Sequence, residues 1–289
     1  MAVDIALSIN RTLQVPLLVT INSIIQNTTF AAGQPPLRFN IVVPVGDRTF
    51  FSDKLAAAFA DYPSEQVSFR IAEFTPPDFL KHYLDTKFQE KKPERRISRY
   101  MQYARLYLKK IFPDVERMLY FDADIIVLDD VRSLHALGNQ LTEQSNLAAV
   151  PQFFPAIFYF SNPFKVWSDL RKFKSTFNSG VLIMELRYWN EQTFDLIKRY
   201  LDLDAQNNYR LYHLGDETVF NIPFKDTYTQ LPKQWNCCGY GQTPLIARIL
   251  SKDPQQMKVI HWSGGYQKPW KSDRVIYSDL WRSYLPATS

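Results

Sequence analysis

The chain is 289 residues long, 46% hydrophobic and 15% aromatic, with 34 Lys and Arg against 29 Asp and Glu for a net charge of +5. That is the composition of a soluble globular chain with a well-filled core, long enough for one large domain or two small ones. No run approaches the roughly 18 apolar residues of a membrane helix, and the opening MAVDIALSIN lacks the basic start, apolar middle and small-residue cleavage site of a signal peptide, so a cytoplasmic address is expected.

In chain order, apolar runs at Asp4 to Ile9, Arg38 to Val45, Val67 to Ala72 and Arg117 to Phe121 read as strands, with helical spacing at Pro16 to Ile25 and Phe51 to Ala60. This βαβ rhythm predicts a largely parallel sheet covered on both faces. The basic cluster Lys87 to Arg99, interrupted by Glu90 and Glu94, reads as a solvated loop. Arg99 to Ile111 reads as a helix delivering the chain into LYFDADIIVLDD, residues 119–130. The rhythm breaks at Pro151 to Phe177, a stretch crowded with aromatics that reads as a cover or binding loop. A strand at Gly180 to Glu185, a helix at Tyr188 to Leu201, a strand at Met257 to His261 and a short aromatic helix complete the chain. With no linker between halves, one domain with a C-terminal annex is expected.

Within LYFDADIIVLDD, Asp122 and Asp124 interrupt an apolar run. An ionised carboxylate in a dry strand is costly unless paired or bound to a cation, so the pair is expected where the strand emerges, at the sheet edge where ligands bind. Residues two apart on a strand point the same way, so the two could grip one divalent ion that bridges a diphosphate. The spacing alone is weak evidence. Asp202-Leu203-Asp204 repeats it, yet follows the helical run Leu196 to Leu201 and is expected to cap or solvate a helix end. Asp129 and Asp130 are expected to cap a helix starting near Val131.

Adjacent Cys237 and Cys238 give no metal pattern and read as structural thiols. The sequon at Asn27-Thr28-Thr29 reads as a helix end and turn. A positive net charge could suit nucleic acid, an anionic membrane or an anionic small substrate. Lys268, Lys271, Arg274 and Arg282, set among tryptophans and tyrosines, could serve phosphates or a peripheral contact with the inner face of a membrane. No nucleic-acid partner is expected, and the oligomeric state is left open.

Six ordered segments spread over most of the chain carry a resemblance: VPLLVTINSIIQNT, ISRYMQYARLYLKKIFPDVERMLYFDADIIVLDD, FNSGVLIMELRYW, LGDETVFN, LPKQWN and HWSGGYQKPW. In these the chain resembles glycosyltransferase family 8, the retaining GT-A enzymes that include bacterial lipopolysaccharide galactosyl- and glucosyltransferases, glycogenin and plant galacturonosyltransferases. The resemblance implies a GT-A fold: α/β, with a Rossmann-like, mostly parallel mixed sheet flanked by helices. Residues 1–150 would form the nucleotide-binding half, 151–260 the acceptor and sugar half, and 261–289 an annex closing on the diphosphate.

It further implies Asp122 and Asp124 as Mn²⁺ ligands against a UDP diphosphate, with Ala123 between them at the donor. His261, opening H-x-x-G…K-P-W, would be the third ligand, a set that suits Mn²⁺ more than Mg²⁺. Gly264 and Gly265 would let the backbone approach phosphate, although one residue more than the common spacing precedes Lys268, whose charge would meet the leaving β-phosphate. Arg105 in Y-A-R-L would reach the donor, Asn178 would bond a sugar hydroxyl, and Asp216 and Glu217 fall on the family's D-Q pair with glutamate in the glutamine position. Ser8 and Asn10 stand where the family binds uridine and ribose, while Leu13 offers no aromatic face. Trp270 has packing of the annex as its simpler role.

The implied activity is a Mn²⁺-dependent transfer of galactose or glucose from a UDP-sugar, with retention, to a saccharide or glycoconjugate acceptor, as in polysaccharide or lipopolysaccharide synthesis. Front-side attack, with Glu217 stabilising charge at the anomeric carbon, is favoured over a covalent glycosyl-Glu217. Phe153 to Trp167 is the expected acceptor region, its aromatic faces stacking on sugar rings; a satellite core or oligomer contact is the alternative. Two other functions compete: a haloacid-dehalogenase-like phosphatase with the first aspartate as nucleophile, and a non-catalytic nucleotide-sugar or glycan-binding protein.

Overall fold

The computed structural model describes residues 2–287 apart from 153 and 214, so Phe153 of the expected acceptor region and Leu214 of LGDETVFN lie outside the described residues. Nine strands are described: β1 Val3–Ser8, β2 Leu37–Pro44, β3 Val67–Phe74, β4 Met118–Phe121, β5 Ile125–Val127, β6 Leu147–Gln152, β7 Thr176–Met184, β8 Thr229–Gln230 and β9 Val259–His261. Seven form one sheet in the order β3-β2-β1-β4-β7-β6-β8, while β5 and β9 form a two-stranded ribbon. Pairs β1/β2, β2/β3, β1/β4 and β6/β8 are parallel, and β7 runs antiparallel to both neighbours.

The helices are α1 Gln14–Gln26, α2 Arg48–Ala58, α3 Asp78–Phe88, α4 Pro93–Ala104, α5 Leu108–Ile111, α6 Val131–Leu137, α7 Trp167–Leu170, α8 Glu191–Gln206, α9 Asp216–Phe224, α10 Pro244–Leu250 and α11 Ser278–Arg282. Side chains alternate across a strand, so β4 feeds two cores. Met118 and Tyr120 join Leu80, Met101, Leu201 and Phe220 from α3, α4, α8 and α9. Leu119 and Phe121 join Leu17, Phe51 and Leu134 from α1, α2 and α6. Burial on both faces is why the central strands read as continuous apolar runs.

Several expectations shift. The basic cluster is no loop: α4 starts at Pro93, a residue suited to the first helical position because it has no N–H to leave unpaired. The helix expected over Arg99 to Ile111 is instead α4, a 3₁₀ turn Arg105–Tyr107 and α5. Strand β7 starts at Thr176 because β6, not foreseen from the sequence, pairs with it, Gln152 opposite Thr176 and Pro151 opposite Phe177. Helix α8 runs on to Gln206, so the second D-x-D lies inside it. Asp202 pairs with Lys198 at the surface, but Asp204 is fully buried, accepting from Tyr83 Oη, Lys87 Nζ and the backbone N–H of Leu211 and Tyr212. It is a core anchor, neither a cap nor a solvated residue. As expected, Asp130 caps α6, accepting from the Arg132 N–H.

The C-terminal segment folds back on α1, its Trp262, Val275 and Trp281 packing with Val19 and Ile126. Asn27, in the sequon, donates its amide to Ser23 O, Val127 O and Tyr284 Oη, a structural engagement that fits a helix end. Among the described residues no helix is long and apolar enough to cross a membrane.

Candidate active site

Strand β4 ends at Phe121, and Asp122-Ala123-Asp124 forms a bend before β5. The two aspartates thus sit just past the strand, and the bend rather than the strand pleat turns their carboxylates to one place. Asp122 is held by its N–H to Gly180 O on β7, and Asp124 by its carbonyl, which accepts from the Trp262 N–H. The β5/β9 ribbon sets Ile125 opposite His261, which brings the imidazole from the far end of the chain to the aspartates. His261 Nε2 lies 3.2 Å from Asp124 Oδ1 and 3.9 Å from Asp122 Oδ2. One ligand atom from each of Asp122, Asp124 and His261 falls within 4.8 Å of the others.

The hydrogen-bond network fixes the orientation of the imidazole. The Gly180 backbone N–H, which can only donate, points at Asn178 Oδ1 at 3.0 Å. Asn236 therefore presents its Nδ2 to that same oxygen at 3.0 Å, and its Oδ1 to His261 Nδ1 at 2.9 Å. Nδ1 donates to Asn236, and Nε2 faces Asp124. At 3.2 Å, Nε2 and Asp124 Oδ1 can be joined by a proton on the ring nitrogen or, as two ligands, by a shared cation. Space is reserved for one: a Cβ on Gly180 would sit 2.8 Å from Asp122 Oδ2 and collide with the His261 ring. Two carboxylates and an imidazole fit a divalent cation in that space.

Around this cluster four carboxylates face two cations. Arg105, buried at the wall, donates to Asp122 Oδ1 (2.8 Å) and Ser179 O (2.8 Å) and lies 3.4 Å from Asp216 Oδ2. Lys268 Nζ donates to Asp124 Oδ2 (2.5 Å) and Trp262 O (2.6 Å). Burial would raise the Asp124 carboxyl, but the charges of His261 and Lys268 outweigh it and hold it below the usual carboxylate range. Asp216 goes the other way, raised by burial against the opposing pull of Arg105. Glu217 is likewise raised by burial, offset by three donors: Gln152 Nε2 (2.7 Å) and Tyr159 Oη (2.9 Å) to Oε1, and Asn178 Nδ2 (3.1 Å) to Oε2. Asp216 and Glu217 open α9, at the positive end of its dipole. Cys237 and Cys238 are free thiols, Cys238 pushed up to about 11 by burial and the nearby Glu217 charge, as suits a structural role.

Residues 4–274 match the family described as Glycosyl transferase family 8. The chain belongs to that family. Among curated relatives it is 31% identical over 181 residues to "Probable galacturonosyltransferase-like 10" of Arabidopsis thaliana, covering 59% of this chain and 48% of that one. It is 26% identical over 285 residues to "Probable galacturonosyltransferase-like 6" of the same plant, covering 92% and 75%. The chain spans 44% to 66% of the length of several of these relatives. Among solved structures the galactosyltransferase LgtC, in complex with donor and acceptor sugar analogs, superposes with a TM-score of 0.67 at 18% identity, covering 98% of this chain and 95% of that one. An LgtC active-site mutant with glutamate in place of a glutamine superposes at 0.68, also at 18% identity, covering 97% and 94%. The fold is that of the GT-A glycosyltransferases.

Most of the residues expected on the donor side lie together. A cavity of about 330 Å³ beside the aspartates is lined by Ser8, Asn10, Arg105, Asp122, Ala123, Asp124, Gly264 and Lys268. Gly265 is absent from that lining and faces open space, whereas Gly264, at φ +114°, packs against the Gly241 backbone. The glycine at the cavity is Gly264. Asn10 is committed locally: its Oδ1 accepts from Thr12 and its Nδ2 donates to Ser98 Oγ. Trp270 both lines the cavity and packs on Trp281. A phosphatase-type nucleophile is not favoured at Asp122, whose Oδ1 is taken by Arg105 and Tyr120 Oη.

Sequence reasoning missed Gly180, Asn221 and Asn236. All three lie in the quoted segments, but their roles are long-range. Asn221 clips α9 to β7, accepting from the Phe177 N–H and donating to Phe177 O and Glu217 O. Gln152 and Tyr159, which hold Glu217, sit in the stretch that gave no periodic signal.

Proposed function

We propose that the chain transfers a hexose, galactose or glucose, from a UDP-sugar to a saccharide or glycoconjugate acceptor, with retention, in a reaction dependent on Mn²⁺ held by Asp122, Asp124 and His261. The observation that carries this reading is one continuous buried network, Glu217–Asn178–Asn236–His261–Asp124–Lys268, which joins a sugar-side carboxylate to a metal-and-phosphate side. When bound, the ion would supply positive charge to a diphosphate leaving group. Lys268 is placed to add a compact positive charge there, and Arg105 holds Asp122 and Asp216 in place at the cavity wall.

Glu217 favours front-side attack over a covalent intermediate. Three donors on its two oxygens oppose the upward push of burial on its carboxyl and take up three of its roughly four lone-pair sites, which favours a stabilising partner of an oxocarbenium-like sugar over a free nucleophile. The LgtC neighbour bearing glutamate for glutamine supports a fold that accommodates this residue type. The leaving phosphate is assigned the acceptor proton. The test is release of UDP from UDP-galactose and UDP-glucose with Mn²⁺, followed by mass spectrometry of the trapped enzyme. Turnover without a glycosyl adduct on Glu217 is expected; no turnover of any UDP-sugar, or an accumulating adduct, contradicts the respective half of the proposal.

A further inference from the structure

A second cavity, of about 420 Å³, is lined by Gln152, which donates to Glu217. That volume is within the roughly 300–1,000 Å³ usual for small-molecule sites. The two cavities share the start of α9: Asp216 contacts Arg105 of the donor wall, and Glu217 accepts from Gln152, whose side chain lines the second cavity. Its walls include Phe154, Trp167, Arg171, Lys174 and Thr176. Trp167 is half exposed and stacked on the exposed Phe164, presenting a flat face of the kind that sugar rings cover.

The charge of this cavity is one-sided. No acidic residue lines it among the described residues. The next lysine inward, Lys225, is neutralised by Asp169 at 3.1 Å. Neither Arg171 nor Lys174 has a carboxylate partner among the described residues, and both are exposed at the rim. A guanidinium and an ammonium on an aromatic-lined cavity, joined through Gln152 to Glu217, suit a sugar bearing its own negative charge.

We infer that this cavity is the acceptor subsite and that it selects a saccharide carrying a carboxylate or phosphate group, with Arg171 and Lys174 as the specificity residues; this rests on the glycosyl-transfer reading above. Binding is measured by titration calorimetry with a galacturonic acid disaccharide, its methyl ester and a phosphorylated hexose disaccharide. The acid or the phosphorylated sugar is expected to bind about tenfold more tightly than the neutral ester, with the advantage shrinking at high salt. Which of the two anions binds separates a carboxylate acceptor from a phosphate one. In the Arg171→Gln, Lys174→Gln double variant the advantage disappears while the thermal shift with UDP and Mn²⁺ is unchanged. Equal binding of charged and neutral sugars, or an advantage that survives the double substitution, overturns the inference. Failure of UDP and Mn²⁺ to bind overturns the glycosyl-transfer reading instead, and the saccharide titration still decides the charge preference.

Discussion

At the scale of single residues, the site depends on groups whose importance no local pattern reveals. D-x-D is visible at a glance, but its second copy, Asp202 and Asp204, shows how little spacing alone carries. What distinguishes Asp122 and Asp124 is Gly180 and Asn236. Gly180→Ala, on a backbone without positive φ, keeps the strand but drives a methyl group toward His261 and Asp122. The expected result is a protein with the native circular dichroism spectrum and no Mn²⁺-dependent binding of UDP. Asn236 acts through His261, fixing the proton on Nδ1. Loss of such a partner weakens metal affinity roughly 10- to 100-fold in known sites, so Asn236→Ala should raise the Mn²⁺ dissociation constant in that range. Asn236→Asp keeps the acceptor and should recover part of it, a difference that a purely packing role would not produce.

At the scale of elements, the strands of the first half were legible because burial on both faces makes each a long apolar run. Strand β6 and the first turns of β7 were not. Pro151 breaks the alternation, a register shift falls between Ala149 and Pro151, and Thr176, Asn178 and Ser179 are polar residues held in the strand by pairing and by Asn221. The same limit hid the end of α8. Asp204 looked like a helix end in the sequence, yet it is an interior anchor for α3 and for residues 211–212. Removing it strands Lys87, whose side chain is 7% exposed, without its partner. Asp204→Ala should therefore lower unfolding free energy by about 3–5 kcal/mol in urea titration, while Asp202→Ala, at the surface, should stay within about 0.5 kcal/mol.

At the scale of the whole molecule, chain topology assembles the site. Parallel β1 and β4 deliver Asn10 and the aspartates to one edge, antiparallel β7 brings Asn178 and Gly180 beneath them, and the β5/β9 ribbon returns His261 and Lys268 from the far end of the chain. The resemblance in six ordered segments pointed to the residues proposed for the metal and phosphate side. It did not show that the polar atoms between them form one connected network, because that depends on pairings more than 50 residues apart. The central claim is that Asp122, Asp124 and His261 hold a divalent ion against a nucleotide diphosphate. Thermal shift of the wild type with UDP alone, Mn²⁺ alone and both together, repeated for Asp122→Ala and Asp124→Ala, tests it most directly. A stabilisation in the wild type that requires both ligands and vanishes in each variant is predicted; one that persists without either aspartate, or that never appears, contradicts it.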